Sequence, residues 1–114
     1  LFVDADKDDL SAARTIGADI VELHTGRFCD LPAGSARQHE YERIVSAARF
    51  ADSCGLEVHA GHGLNFETAG QIAQIQEIVE LNIGHFLIGE ALFTGLKDAI
   101  LRMRQVINRS GPLL

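Results

Sequence analysis

The stretch Val58-His59-Ala60-Gly61-His62-Gly63-Leu64 decides the fold, because an apolar strand with polar residues at alternate positions runs there into a turn crowded with glycine and histidine. Side chains two apart along a strand share a face, so Val58 and Ala60 point one way while Glu57 and His59 point the other. Glycine lets backbone pass close to a ligand and leaves its N–H groups free to point at an anion, and histidine is the side chain best placed to move a proton near neutral pH. The stretch predicts a strand whose C-terminal end carries a phosphate-handling acid/base site.

The same punctuation recurs along the chain. Asp19-Ile20-Val21-Glu22-Leu23-His24-Thr25-Gly26 is strand-like and ends in Thr-Gly, Ile78-Val79-Glu80-Leu81-Asn82-Ile83-Gly84-His85 ends in Gly-His, and Leu1-Phe2-Val3-Asp4-Ala5-Asp6 is a short apolar run closing on acidic residues. Segments of helical period lie between these strands. Asp6 caps a helix over about Lys7 to Ile16 with Gly17 as its stop, and Ser35 with Gln38 forms a capping box for a helix running to about Cys54. Asn65 caps a third helix carrying Ala69, Ile72, Ala73 and Gln76. A last helix covers roughly Leu96 to Asn108, with Gly111-Pro112 beyond it. Gly26 to Gly34 is the one long irregular stretch, placed where a mobile loop would cover a substrate. The order β-α-β-α-β-α-β-α predicts a parallel sheet with helical crossovers.

Strand alternation then assigns the faces. Val21 and Leu23, Val58 and Ala60, and Leu81 and Ile83 make an apolar set suited to packing under helices. Glu22 and His24, Glu57 and His59, and Glu80 and Asn82 make the opposite set, which would leave many unpaired polar groups if helices covered it. That polar face fits the inside of an α/β barrel, whose C-terminal mouth gathers chemistry from several strands. A complete (β/α)8 TIM barrel needs about 250 residues, whereas this chain has 114, which is room for four βα units. Residues 1–114 are therefore expected to form half of a single TIM-barrel domain. The chain opens at Leu1 inside a strand, and the expectation is that the N-terminal half is absent. Both sheet edges would then be unpaired, inviting association with another chain.

Composition narrows the function. Hydrophobic residues make up 46% of the chain, enough for a core, yet no run approaches the roughly 18 to 20 apolar residues of a membrane span. A net charge of −6 argues against nucleic-acid binding, which usually needs a basic patch. Arg102, Arg104 and Arg109 are read as the positive end of the last helix. Cys29 and Cys54 have neither metal nor redox spacing, so they are expected to be free thiols in a reducing, cytoplasmic compartment. His39 lies on the second helix as a solvated surface residue.

Glu22-Leu23-His24-Thr25-Gly26, Ala60-Gly61-His62-Gly63-Leu64, Glu80-Leu81-Asn82-Ile83-Gly84-His85 and Thr94-Gly95-Leu96-Lys97-Asp98-Ala99 stand in this order along the chain. Together they closely resemble the pyridoxine 5′-phosphate synthase family. The opening Phe2-Val3-Asp4-Ala5-Asp6 resembles its fifth strand, so the chain corresponds to the C-terminal half of the enzyme, strands five to eight. The resemblance implies condensation of 1-deoxy-D-xylulose 5-phosphate with 3-amino-2-oxopropyl phosphate to pyridoxine 5′-phosphate, phosphate and water, with no metal or organic cofactor. By motif, His62 matches the proton donor and Glu22 the carboxylate that stabilises cationic intermediates. Gly63, Gly84 and His85 match positions holding the phosphate of the amino-ketone, near a short helix that would begin at His85. Phe86-Leu87-Ile88-Gly89 has no decisive period between strand and helix. The partners implied are phosphorylated small molecules and further copies of the chain, as closed dimers assembling into a larger ring, with neither nucleic acid nor membrane.

Two features depart from that pattern. His59 stands where the family often has asparagine, which puts local proton networks in question. The first half of the family's chain, which supplies its other bases, is missing, so the 114-residue chain is expected to lack turnover. His24, His59, His62 and His85 could together hold zinc, but His59 and His62 lie three apart across a strand end and point in different directions. Two other classes stay open. A different phosphate-binding barrel isomerase or aldolase shares the glycines, although no strand here offers a Schiff-base lysine. A non-catalytic half-barrel that assembles with a partner chain is the other.

Overall fold

Alternation of apolar and polar residues produces four parallel strands, β1 (Phe2–Val3), β2 (Ile20–His24), β3 (Glu57–Gly61) and β4 (Ile78–Asn82), hydrogen-bonded in the order β1-β2-β3-β4. Six helices accompany them among the described residues: α1 (Lys7–Thr15), α2 (Gly26–Asp30), α3 (Ser35–Ser53), α4 (Phe66–Ile72), α5 (His85–Thr94) and α6 (Leu96–Ser110). The structure, a computed structural model, describes residues 1–110, so the stop expected at Gly111-Pro112 lies outside the described residues. Each strand leads through a helix to the next strand of the same sheet, the connection that parallel pairing demands.

The two faces separate as the sequence alternation requires. Val21, Leu23, Val58 and Ala60 are essentially inaccessible and pack with Leu10 and Ala13 of α1, Ile44, Ala48 and Ala51 of α3, Ala69 and Ile72 of α4, and Met103 of α6. Burying a Val or Leu side chain fully is worth about 1.5–3 kcal/mol, so this contiguous cluster holds the sheet to its helices. The opposite face carries Glu22, His24, Glu57, His59, Glu80 and Asn82, partly open to solvent.

Strand β4 keeps this division only through an irregularity. Val58 pairs with Ile78, yet the next residue, His59, pairs with Glu80, leaving Val79 unmatched. Strict alternation would put Ile78 and Glu80 on one face. The extra residue lets Ile78 join the core, 9% exposed, while Glu80 and Asn82 turn to the polar side and Val79 stands 65% exposed.

Capping chemistry sets most helix boundaries. Asp6 accepts from the amides of Asp8 and Asp9 at 2.8 and 3.2 Å, and Asn65 and Thr68 exchange both bonds of a capping box at the start of α4. Four sequence expectations need correction. Ser35 is not a cap: it is already helical, and Gly34 occupies the cap position, its carbonyl taking the Gln38 amide. Residues 26–34 are not wholly irregular, since Gly26–Asp30 form α2 and Phe28 buries itself against α3. Helix α4 ends at Ile72, short of Gln76. Arg102 does not serve the end of α6; its guanidinium lies 4.1 Å above the Phe66 ring. The undecided run at 86–89 is helical, within α5.

Candidate active site

The C-terminal ends of β1 to β4 open into one cavity of about 720 Å³, whose lining includes Phe2, Glu22, His62, Gly63, Asn82, Gly84 and His85. All five residues singled out from the sequence, Glu22, His62, Gly63, Gly84 and His85, therefore meet at one place. A larger groove of about 910 Å³ lies on the surface among Lys7, Tyr41, Arg49 and Phe50 and shares no lining residue with this cavity.

Glu22 reaches the cavity from the polar face of β2. One of its carboxylate oxygens, Oε1, accepts from the Asn82 side-chain amide across two strands at 2.5 Å. That contact is possible because Gly61, between them on β3, has no side chain: a Cβ there would stand 2.5 Å from Glu22 Oε1 and 2.9 Å from the Asn82 carbonyl oxygen. An ionised carboxylate accepts only, so Asn82 orients Glu22 while leaving further lone pairs for a cation.

His62 follows β3 directly and is exposed to the cavity. Its φ of +86° makes it the one non-glycine residue with positive φ among the described residues, and Gly63 continues the turn at +80°. A bulky residue in this region costs about 1–2 kcal/mol, strain that collects at functional positions. The His62 ring packs 4.6 Å from that of His24 and 6.5 Å from Phe2. His24 is fixed in turn, because its Nδ1 accepts the Gly26 amide at 2.9 Å, which puts that ring's proton on Nε2.

Gly84 and His85 begin α5. No side chain caps this ten-residue helix, and a Cβ on Gly84 would meet no atom within 4 Å. The first-turn amides thus carry the partial positive charge of a helix start with open space beside them.

Deeper along the polar face, His59 sits between two carboxylates, with Nε2 2.7 Å from Glu57 and Nδ1 3.0 Å from Glu80. Both nitrogens can donate only when the ring holds two protons. His59 therefore ties β3 to β4 in the layer that also contains Glu22, its register partner on β2. Among the described residues no three His, Cys, Asp or Glu side chains converge as a metal centre would need.

A family model described as Pyridoxal phosphate biosynthesis protein PdxJ matches residues 1–109. The chain belongs to the PdxJ family. Among curated relatives named pyridoxine 5′-phosphate synthase, the Rhodospirillum rubrum protein is 57% identical over 104 residues, covering 91% of this chain and 42% of that protein. The Xanthobacter autotrophicus protein is 54% identical over 110 residues, 94% and 43% respectively, and the Ruegeria pomeroyi protein 48% over 113 residues, 96% and 46%. The PdxJ chain thus spans less than half the length of these relatives and matches their C-terminal part.

Sequence reading missed several groups at this PdxJ site. Asn82 was placed on the polar face without a partner, and its bond to Glu22 spans 60 positions. Thr25 is inaccessible, with its Oγ1 2.8 Å from the Gly61 carbonyl oxygen and 2.7 Å from that of His62. The adjacency of a Thr-Gly after β2 to a Gly-His after β3 was the available signal, since parallel neighbours in register bring such ends together. No helix of this PdxJ chain among the described residues is long and apolar enough to cross a membrane.

Proposed function

We propose that this chain is strands five to eight, the C-terminal half, of a TIM-barrel domain. With the remaining half it would condense 1-deoxy-D-xylulose 5-phosphate with 3-amino-2-oxopropyl phosphate, making pyridoxine 5′-phosphate for vitamin B6 biosynthesis. Convergence of Glu22, His62 and the uncapped start of α5 on one cavity carries this reading. Family membership and the names of the relatives support the reaction.

In this reading the α5 start and Gly63 hold the phosphate of the amino-ketone, through backbone amides that glycine leaves unshielded. Condensation passes through an imine, and its cationic form lies against the Glu22 carboxylate. Inside a closed barrel, away from bulk water, that attraction strengthens severalfold relative to solution. His62, whose ring makes no hydrogen bond among the described residues, gives and takes protons as phosphate leaves and the ring closes. The enzyme would work in the cytoplasm as a homo-oligomer. Exposed Ile88, Leu92 and Phe93 on α5 and Leu96, Ile100 and Leu101 on α6 support a further contact on that side.

The test is product formation from both substrates. The full-length protein is expected to make pyridoxine 5′-phosphate, E22Q and H62N to lose at least about a hundredfold in kcat, and the 114-residue chain alone to make none. Calorimetric titration with inorganic phosphate provides a second measure. Gly84→Val adds bulk only to open space, so the variant should fold normally yet bind phosphate weakly. Equal heats for both proteins would remove the proposed anion pocket.

A further inference from the structure

His62 pays a conformational penalty that glycine at the same position would not, so something must hold its backbone in the left-handed region. The restraint comes from the segment after β2. Thr25 continues the ladder with its own amide on the Gly61 carbonyl at 2.9 Å, and its hydroxyl is shared between the Gly61 and His62 carbonyl oxygens at 2.8 and 2.7 Å. The thiol of Cys29 adds a weaker contact to the His62 carbonyl at 3.7 Å. His24 and Gly26, on either side of Thr25, wall in the ring. A Cβ on Gly26 would stand 2.4 Å from His24 Cε1 and 2.8 Å from His62 Cδ2, so both imidazoles already occupy the space available.

We propose that Thr25 is a positioning residue for the proton-transfer step: its hydroxyl ties the His62 carbonyl inward and thereby aims the imidazole into the cavity. Thr25 is fully buried and lies outside the cavity lining. The hydroxyl has one hydrogen for two carbonyls, and the Gly61 carbonyl keeps the Thr25 amide, so loss of the hydroxyl leaves the His62 carbonyl with only the weaker Cys29 contact and frees the peptide that carries His62 to rotate. The proposal rests on the assignment of His62 as proton donor.

The experiment compares Thr25→Val and Thr25→Ser with His62→Asn in the full-length protein, measuring kcat, KM, the pH profile and the imidazole resonances of isotopically labelled histidine. Thr25→Val matches the shape without the hydroxyl. It should lower kcat by about tenfold to a hundredfold, leave KM within about twofold and displace the His62 resonance. Thr25→Ser restores the hydroxyl and should return kcat to within about threefold of the parent with the parental resonance. Folded Thr25→Val with parental kcat and an unmoved resonance overturns the proposal. Should the valine variant not fold, serine decides: a loss of about tenfold or more in folded Thr25→Ser assigns the effect to the methyl group and overturns it equally. Parental activity in His62→Asn instead removes the proton-donor assignment, whatever the Thr25 variants do.

Discussion

Replacing Gly61 by alanine tests the central contact of the site, because the new methyl enters a gap already closed on two sides. Its Cβ would lie 2.5 Å from Glu22 Oε1, 2.9 Å from the Asn82 carbonyl oxygen and 3.1 Å from Asn82 Cβ, whereas ordinary contact begins near 3.4 Å. The Asn82 carbonyl belongs to the backbone of β4 and cannot swing aside alone. The Glu22 carboxylate is freer and must retreat by about 0.9 Å, the difference between 3.4 and 2.5 Å, which strains its bond to the Asn82 amide. Overpacking of this kind costs about 1–3 kcal/mol, equivalent to roughly 2–12 °C in Tm for a protein of about 250 residues. A misplacement of about 1 Å at a reacting group costs about a hundredfold in rate, or about 2.7 kcal/mol. G61A in the full-length protein should therefore melt lower and lose about a hundredfold in kcat/KM, measured by thermal denaturation and product formation. Gly89→Ala is the control: its Cβ meets nothing within 4 Å in α5, and helix propensity should raise stability by about 0.5–1 kcal/mol. Parental Tm and kcat/KM in G61A would refute the reasoning.

Three further outcomes follow from the same structure. Asn65→Ala removes the α4 cap and should cost about 0.5–2 kcal/mol in urea denaturation, with Thr68 left donating to nothing at that end; an unchanged midpoint would count against the cap. Arg43 donates to Asp4 and holds its carboxyl below the usual value of 3.8, so that stabilisation is complete above this pH and is lost as pH falls through the lowered value. Because Asp4 is largely exposed, the effect should be below about 1 kcal/mol, and the acid limb of stability should flatten in Arg43→Ala. Burial pushes the Cys29 thiol up from 9.0, keeping it protonated, so iodoacetamide at pH 8 should alkylate it at least about tenfold more slowly than glutathione; a matching rate would contradict its enclosure.

Much of the fold is legible in local chemistry. Period-two alternation locates β2 and β3 because each strand is buried on one face only, and Asp6 and Asn65 announce their helices because a side-chain acceptor satisfies amides within three residues. Where the deciding interaction is distant, local pattern fails. Ser35 and Gln38 have the right types for a capping box, yet the loop before them carries the chain into the helix one residue earlier at Gly34. Helix α2 is too short for a period, and what holds it is Phe28 packed between Arg37 and Tyr41 of α3. Arg102 reads as a helix-end charge until α6 is laid against Phe66. At the site, histidine, glutamate and glycine stand out by type, whereas Asn82 and Thr25 are common residues whose importance comes from partners on other strands.

The unmatched Val79 also constrains how such a chain can be rearranged. The other described ladders run without a slip, but β4 reaches the mouth with Asn82 turned inward only because it is one position longer than its neighbour. Pairing that segment without the slip at its present length would send the amide outward and an aliphatic group toward the cavity, whereas removing Val79 itself would leave Ile78 and Glu80 as regular neighbours and keep Asn82 where it is. A repeat unit transplanted from a related molecule would keep the parity here only if its strand were one residue shorter or carried the same slip.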